Sequence, residues 1–177
     1  HVTRAIFEEN HAVGAIAFDA GAKLFLDHVV VAKTQTGLEG VGQGIAADLG
    51  GRVEARHAVV TACNSEGAYA SRKGSVLILE DAHVDGTFSA GFEAAGVGAS
   101  KGAAVEARRV WVDRSEQVGA TAADAGSTLL LEDAVITRGQ GLKDGTWGAG
   151  VIVQSGGVAT VRRTLLEDNR LYGASAL

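Results

Sequence analysis

The sequence predicts an all-β chain wound as a stack of parallel coils, and three observations predict it. First, the stretch Gly21 to Val31 (GAKLFLDHVVV) recurs along the chain. It returns as GGRVEARHAVV from Gly50, GSVLILEDAHV from Gly74, GAAVEARRVWV from Gly102, GSTLLLEDAVI from Gly126 and GGVATVRRTLL from Gly156, and half a copy, VTRAIF, starts at Val2. Second, each copy alternates apolar and polar residues with period two, and no segment sustains a helical i, i+3, i+4, i+7 pattern. Third, the opening glycines are 29, 24, 28, 24 and 30 residues apart, and Val2 stands 24 before Leu26. Periods of this size mark a solenoid with one coil per copy. The count gives about seven coils, with coils of 24 and of 28–30 residues alternating.

Short strands joined by turns of a few residues fit three strands per coil. Stacked coils then pair each strand in parallel with its copy about 4.8 Å away, without the crossover helix that parallel strands usually need. Leu24 and Leu26 head two inward columns. Val29 heads a third (Ala5, Val29, Ala58, Ala82, Val110, Ala134, Thr164), and Val31 a fourth (Phe7, Val31, Val60, Val84, Val112, Ile136, Leu166). A one-residue slip would turn these faces outward, so the register is expected to be firm.

The position after Leu26 reads Asp27, Arg56, Glu80, Arg108, Glu132, Arg162, and its sign alternates at every step. The next position reads Arg4, His28, His57, Asp81, Arg109, Asp133, Arg163. Opposite charges facing each other on neighbouring strands are favourable and like charges are not. These columns are read as exposed ladders that fix register. Three residues past Val31, small groups recur at a turn: Asn10, Thr34, Cys63, Thr87, Ser115, Gly139 and Asn169. Such side chains can bond the backbone of their own turn or of the next copy. Cys63 is read as a filler of that column.

Alternate coils carry insertions at one place: Lys33 to Gly44, Gly86 to Gly98 and Arg138 to Gly150. They share a Gly-apolar-charged core at Gly37-Leu38-Glu39, Gly91-Phe92-Glu93 and Gly141-Leu142-Lys143. Long loops are expected on one side of every second coil. Outward at Val30 lies an apolar stripe: Ile6, Val30, Val59, His83, Trp111, Val135, Leu165. The loops either cover it or leave it for a partner. Six residues before the turn glycines stand Ala15, Gly44, Ala68, Gly96, Ala120 and Gly150, with Ala17, Ala46, Ala70, Gly98, Ala122 and Ile152 two further on. This counting predicts a nearly bare outer strand face, suited to a packed helix or a flat polymer. Ile16, Ile45, Tyr69, Val97, Thr121 and Val151 would point inward, although spacing leaves the opposite orientation open.

The chain has 177 residues, 25 Gly, no Pro, 5% aromatics and a net charge of −5 with acids and bases interspersed. It is read as a single β-helix segment, residues 1–177, of a longer solenoid, since it opens and closes inside a repeat. No basic face for nucleic acid and no polybasic membrane patch is present, and no apolar run reaches the length of a transmembrane helix. The single Cys63 excludes an internal disulfide and leaves the redox compartment undecided.

The pattern G-[IV]-A-x-D-x-G-x-x-[LV]-x-[LV]-x-x-[AV]-x-[VI]-x-x-[NTS] resembles the right-handed parallel β-helix repeats of the pectin-lyase-like class. It looks most like Ala/Gly-rich bacterial surface or secreted repeat proteins of unassigned function. The resemblance covers essentially the whole chain and implies the hand of the coil and an extracellular or cell-surface location. It does not imply an activity, because this scaffold carries lyases, hydrolases, adhesins and passive stalks. Enzymes of the class use clustered acids for calcium with an Arg or Lys base, or convergent Asp residues with a nearby His. A glycosidase pair needs carboxyls roughly 5–9.5 Å apart. Here Asp81 and Asp133 share a column with Arg109 between them. Asp19 and Asp48 stack as like charges that can attract calcium, with Arg72 next in the column. His28 and His57 can begin a metal site, but flanked by Asp27 and Arg56 they read as ladder members.

The sequence thus predicts a non-catalytic structural or recognition module with no cofactor and no metal. It is expected to bind glycan or protein through its loop face or apolar stripe, with Phe92, Glu93, Trp111, Lys143, Asp144 and Trp147 contacting the ligand. The alternative is a polysaccharide lyase or glycoside hydrolase whose site crosses the loops. A third expectation is end-to-end self-association through the raw strand edges of the two ends.

Overall fold

A computed structural model of the protein describes residues 1–37, 40–89, 94–144 and 146–177. All regular elements among them are strands, and they form three seven-stranded parallel sheets. The first sheet stacks Val2–Thr3, Lys23–Asp27, Arg52–Arg56, Val76–Glu80, Ala104–Arg108, Thr128–Glu132 and Val158–Arg162. The second stacks Ile6–Glu8, Val30–Ala32, Val59–Thr61, His83–Asp85, Trp111–Asp113, Val135–Thr137 and Leu165–Glu167. The third stacks Val13–Phe18, Gly42–Asp48, Ser65–Ser71, Ala95–Ser100, Val118–Ala123, Ala149–Gln154 and Ala174–Ala176. Each coil visits the sheets in that order, so the protein is a parallel β-solenoid.

The predicted inward columns enclose one core, in which Leu26, Val53, Leu77, Leu79, Val105, Leu129 and Leu131 meet Val31, Val60, Val84, Val112 and Ile136. Coil layers alternate in bulk. Leu24 and Leu26 share a coil with Ile45, Leu77 and Leu79 with Val97, and Leu129 and Leu131 with Val151. The coils between them place Val53 and Ala55 with Ala68 and Ala70, and Val105 and Ala107 with Ala120 and Ala122. Large layers fill the room that small ones leave, which keeps a narrow core at close-packed density. The large layers belong to the coils that carry the long loops.

The first corner turns on a single residue with positive φ, and the second opens on one. Between the first and second sheets these are Arg4, His28, His57, Asp81, Arg109, Asp133 and Arg163, at 46–53°. Between the second and third they are Glu9, Lys33, Ala62, Gly86, Arg114, Arg138 and Asp168. This left-handed conformation costs a non-glycine residue roughly 1–2 kcal/mol. The backbone N–H at these corners donates to the next coil, as His28 does to Arg56 O at 3.1 Å and Asp81 to Arg108 O at 3.1 Å. The ladder hydrogen bond holds the strained turn in place.

The third sheet corrects the bare-face reading. Ala15 pairs with Ile45, not Gly44, and Ile45 pairs with Ala68, Ala68 with Val97, Val97 with Ala120 and Ala120 with Val151. This column points into the core. Ile16, Ala46, Tyr69, Gly98, Thr121 and Ile152 form one outward column. Counting back from the turn glycines slips by one on alternate coils because the third corner alternates in length. Phe18 pairs with Asp48 and Lys23 with Arg52, so residues 19–22 span on one coil what 49–51 span on the next. The same slip separates Asp19 from Asp48: the corner residue in line with Asp19 is Leu49, so the expected stack of like charges does not form.

The residues so displaced belong to a glycine column at the inner edge of the second corner. A Cβ on Gly44, Gly67, Gly96 or Gly119 would come within 2.4 Å of a γ-methyl of Val60, Val84, Val112 or Ile136 respectively. Only hydrogen fits there.

Candidate functional site

The predicted ladders form, in modified form. Register places Asp27 opposite Arg56, Arg56 opposite Glu80, Glu80 opposite Arg108 and Arg108 opposite Glu132. Arg56 pairs with Glu80 at 3.1 Å and Arg108 with Glu132 at 3.3 Å. At the corner, Arg109 grips Asp81 through two bonds of 2.7 and 2.9 Å, and Arg163 grips Asp133 at 2.6 and 3.0 Å. These guanidinium groups hold both carboxyls below their ordinary range.

A second ladder, not anticipated from the sequence, lines the corner between the second and third sheets. Lys33 donates to Glu8 at 2.8 Å, Arg114 Nε to Asp85 at 2.8 Å, and Arg138 Nε to Asp113 at 2.8 Å. Asp113 is 2% exposed. Burial by itself pushes its carboxyl up, but hydrogen bonds from Arg138 and Thr137, with the charges of Arg138 and Arg114, outweigh burial and hold it below its ordinary value. The signal in the sequence is Glu8, Asp85, Asp113 and Glu167, two residues past the stripe column. Ala32, Thr61 and Thr137 interrupt it, so no sign alternation stands out.

The polar turn column is buried at Thr34, Cys63, Thr87 and Ser115. Asn169 satisfies the turn as expected, accepting from Gly139 N at 3.1 Å and donating to Ile136 O at 3.2 Å. The hydroxyls of Thr87 and Ser115 have no hydrogen-bond partner among the described residues. Their methyl and methylene groups fill space instead. Burial pushes the Cys63 thiol up, so it is a packing group and a poor nucleophile.

The apolar stripe is exposed: Ile6 is 72%, Val59 38%, Trp111 44% and Leu165 51% accessible. Trp111 stacks on His83 with ring centroids 4.4 Å apart and donates to Thr137 Oγ1 at 3.3 Å. The described parts of the loops leave it open and lie against the neighbouring coils on the third-sheet side. Gly37 N bonds Val41 O at 2.9 Å while its Cα side faces Ala12, and Phe88 N bonds Cys63 O at 2.9 Å. Ala94 N donates to Gln117 Oε1 at 2.9 Å. In the last loop, Asp144 accepts from Thr146 N at 2.9 Å and from Thr146 Oγ1 at 2.6 Å, bonds that hold its carboxyl down. Trp147 packs on Val118, Ala149 and Ile152 of the third sheet. Of the sequence-predicted ligand residues, Lys143, Asp144 and Trp147 therefore share the last loop, while Trp111 stands on the second sheet. Phe92 and Glu93 lie outside the described residues, as do Leu38, Glu39 and Gly91.

A long concave surface with a volume of about 960 Å³ runs over the outer face of the third sheet. Ile16, Phe18 and Tyr69 supply its apolar floor, His11 and Val41 one margin, and Arg72, Lys101 and Asp124 the other. Tyr69 lies over Gly98, where a Cβ would meet its ring at 2.4 Å. The glycine lets the aromatic ring lie flat along the sheet. The groove spans the first to the sixth coil, from Ile16 to Gln154, about 24 Å at 4.8 Å per step. Its acids are engaged. Arg72 Nη1 lies 2.5 Å from Asp48 Oδ2, Gln43 donates to Glu66, and Asp124 Oδ2 accepts from Lys101 N at 3.2 Å.

One step of the first ladder differs in chemistry. Asp27 faces Arg56 in register, but Arg56 is drawn to Glu80. The Asp27 carboxylate instead takes His57 Nδ1 at 2.9 Å and His28 Nδ1 at 3.0 Å, both on Oδ1. Hydrogen bonds from His57 and then His28 hold Asp27 below its ordinary range. The two imidazoles stack at 4.4 Å with 27° between their planes.

Comparison of the chain with family models, with curated proteins and with solved structures gave no match.

Proposed function

We propose that this chain is a non-catalytic recognition module of a bacterial extracellular or cell-surface protein, a right-handed β-helix of the pectin-lyase-like class that binds an extended glycan along its third-sheet groove. The observation that carries this reading is the groove itself: a channel crossing several coils, with a flat aromatic ring at Tyr69, apolar groups at Ile16 and Phe18 and charged margins. Sugar rings offer apolar faces to aromatic platforms and hydroxyls to polar rims, which is the general composition of a small-molecule or polymer site. The last long loop adds Trp147 on the same sheet face. The lyase or hydrolase alternative needs free carboxylates poised as acid, base or calcium ligands. Asp48, Glu66 and Asp124 are instead tied to Arg72, Gln43 and the Lys101 amide, which favours binding over catalysis.

A glycan array probed with the whole chain tests the reading, repeated with Tyr69→Ala, Trp147→Ala and Trp111→Ala. The expected result is a set of polymeric hits that weaken about tenfold or more with Tyr69→Ala and survive Trp111→Ala, since one stacked aromatic contributes on the order of 1–2 kcal/mol. Hits that are indifferent to Tyr69 and vanish with Trp111→Ala would move the site to the second-sheet stripe and overturn the groove reading.

A further inference from the structure

We infer that Asp27, His28 and His57 form a binding site for a borderline divalent transition-metal ion of the Zn²⁺ type. The site stands apart from the third-sheet groove, and its chemistry differs from that of the later rungs. At the later corners a guanidinium meets a carboxylate, Arg109 on Asp81 and Arg163 on Asp133. A guanidinium only donates and cannot ligate a metal. At this rung two imidazoles replace it, and an imidazole nitrogen is among the commonest metal ligands. Arg56, the cation in register with Asp27, is bound to Glu80.

The geometry suits a single ion. One ligand atom from each of Asp27, His28 and His57 lies within 4.8 Å of the other two. Zinc–nitrogen and zinc–oxygen bonds are about 2.0–2.2 Å, so atoms sharing one ion sit up to roughly 4 Å apart and only small side-chain shifts are needed. Both Nδ1 atoms already aim at the same carboxylate oxygen. On metal binding each Nδ1 gives up the proton it now donates to Asp27, the ring proton resides on Nε2, and the freed Nδ1 lone pair becomes a ligand. The corner backbone of both histidines is fixed by its left-handed turn and by hydrogen bonds to the next coil, His28 N to Arg56 O and His57 N to Glu80 O. The side chains of His28 and His57 are 57% and 49% exposed. An ion therefore enters from solvent and keeps open positions for water, and a hollow of about 420 Å³ lined by Asp27, Glu54, Arg56 and His57 opens beside it. A nitrogen, nitrogen and carboxylate-oxygen set suits Zn²⁺, Ni²⁺ or Cu²⁺ and not Mg²⁺ or Ca²⁺, which prefer all-oxygen shells.

The other clustering of such residues among those described, His83 with Asp85 and Asp113, lacks this freedom. Arg114 and Arg138 already occupy its two carboxylates.

The test is calorimetric titration of the whole chain, free of any polyhistidine tag, with Zn²⁺, and with Mg²⁺ and Ca²⁺ as comparison ions. Co²⁺ absorption gives a separate spectroscopic readout of nitrogen ligation. The variants are His28→Asn and His57→Asn, because Asn tolerates the left-handed corner, and Asp27→Asn at the end of the strand, which is expected to weaken binding as well; thermal melts confirm folding. One Zn²⁺ per chain is expected, with affinity falling by more than tenfold in each histidine variant, since loss of even an outer-shell partner costs roughly 10–100-fold. His11→Asn and His1→Ala leave it unchanged. Absence of Zn²⁺ binding, binding that survives the double His28→Asn/His57→Asn variant, or binding lost with His1→Ala each overturns the inference.

Discussion

The corner between the first and second sheets and the corner between the second and third open with the same device, a left-handed residue whose N–H bonds the next coil and whose charged neighbours form a ladder. They differ in the path of the chain beyond that residue. At the first corner every coil passes directly into the second sheet. At the second, residues 33–41, 86–94 and 138–148 intervene on alternate coils, while the coils between cross on 62–64 and 114–117. Register therefore needs to be locked only once per coil. After the first corner holds two sheets in step, the chain can leave the wall at the second, provided the glycine column readmits it. Gly44 and Gly96, after the long loops, do this by letting the returning strand pass against Val60 and Val112.

Among single substitutions, the largest effect is expected where the chain rejoins the wall. Gly96→Ala sets a methyl 2.3 Å from Val112 Cγ1 and 2.6 Å from Gly119 O. Overpacking of this kind costs about 1–3 kcal/mol, which for a chain of this size lowers Tm by roughly 2–4 °C per kcal/mol. A thermal melt checks it, and an unchanged Tm would show that the second corner is not held by this contact.

A smaller effect, dependent on pH, is expected in the second-corner ladder. The folded Asp113 carboxyl lies below its ordinary value of 3.8. A depressed folded value means that the stability it supplies is complete above the unfolded value and is lost as pH falls through the folded one. Asp113→Asn should lower stability at pH 7 by on the order of 1 kcal/mol, since Arg138 on its outer side is half exposed to solvent. The gap from wild type should close as melts are taken from about pH 5 towards pH 2. A gap that stays constant with pH would remove Asp113 from the ladder.

The smallest effect is expected at the first-corner ladder. Glu80→Arg puts guanidinium groups at three successive rungs, between Arg56 and Arg108. Exposed like charges repel weakly and are screened by salt. Tm should fall by a few degrees at low salt and recover most of the loss at about 0.5 M salt. A salt-independent loss would point to packing instead of charge.

Much of this architecture is legible in the sequence because period-two alternation is local and repeats through the first two sheets, and charge complementarity repeats along the edge of the first. Val31, Val60 and Val84 align by spacing alone, and they are opposite one another. The third sheet is less legible. Its markers are Ala and Gly, which carry little pattern, and its closing turn changes length between 19–22 and 49–51. Spacing places Ile45 inward, in agreement with the structure, but sets Ala15 on the opposite face from it. The alternation of Leu-rich and Ala-rich layers is written in the sequence, since the coil of Leu77 and Leu79 lies between those of Ala55 and Ala107, yet its meaning needs the stacked core. The candidate groove is hidden for the same reason as the third sheet: spacing puts Ile16 and Tyr69 in one column but turns it inward, and only the paired register sets them on the outer face with Phe18. Spacing does stack His28 on His57. That both turn onto one oxygen of Asp27, with Arg56 drawn away, is a matter of side-chain direction that spacing does not encode.

The division between the two corners is tested most sharply by a matched pair of insertions, one glycine added after Asp81 at the first corner or after the exposed Phe88 in the loop of the second, with stability measured by chemical denaturation. The first insertion separates the strand ending at Glu80 from the one beginning at His83 and disrupts both sheets. It is predicted to cost about 3 kcal/mol or more, comparable with other severe core disruptions, while the second stays within about 0.5 kcal/mol, as tolerant surface sites do. Equal losses at the two corners would mean that both set the register and that the second has no freedom to carry loops.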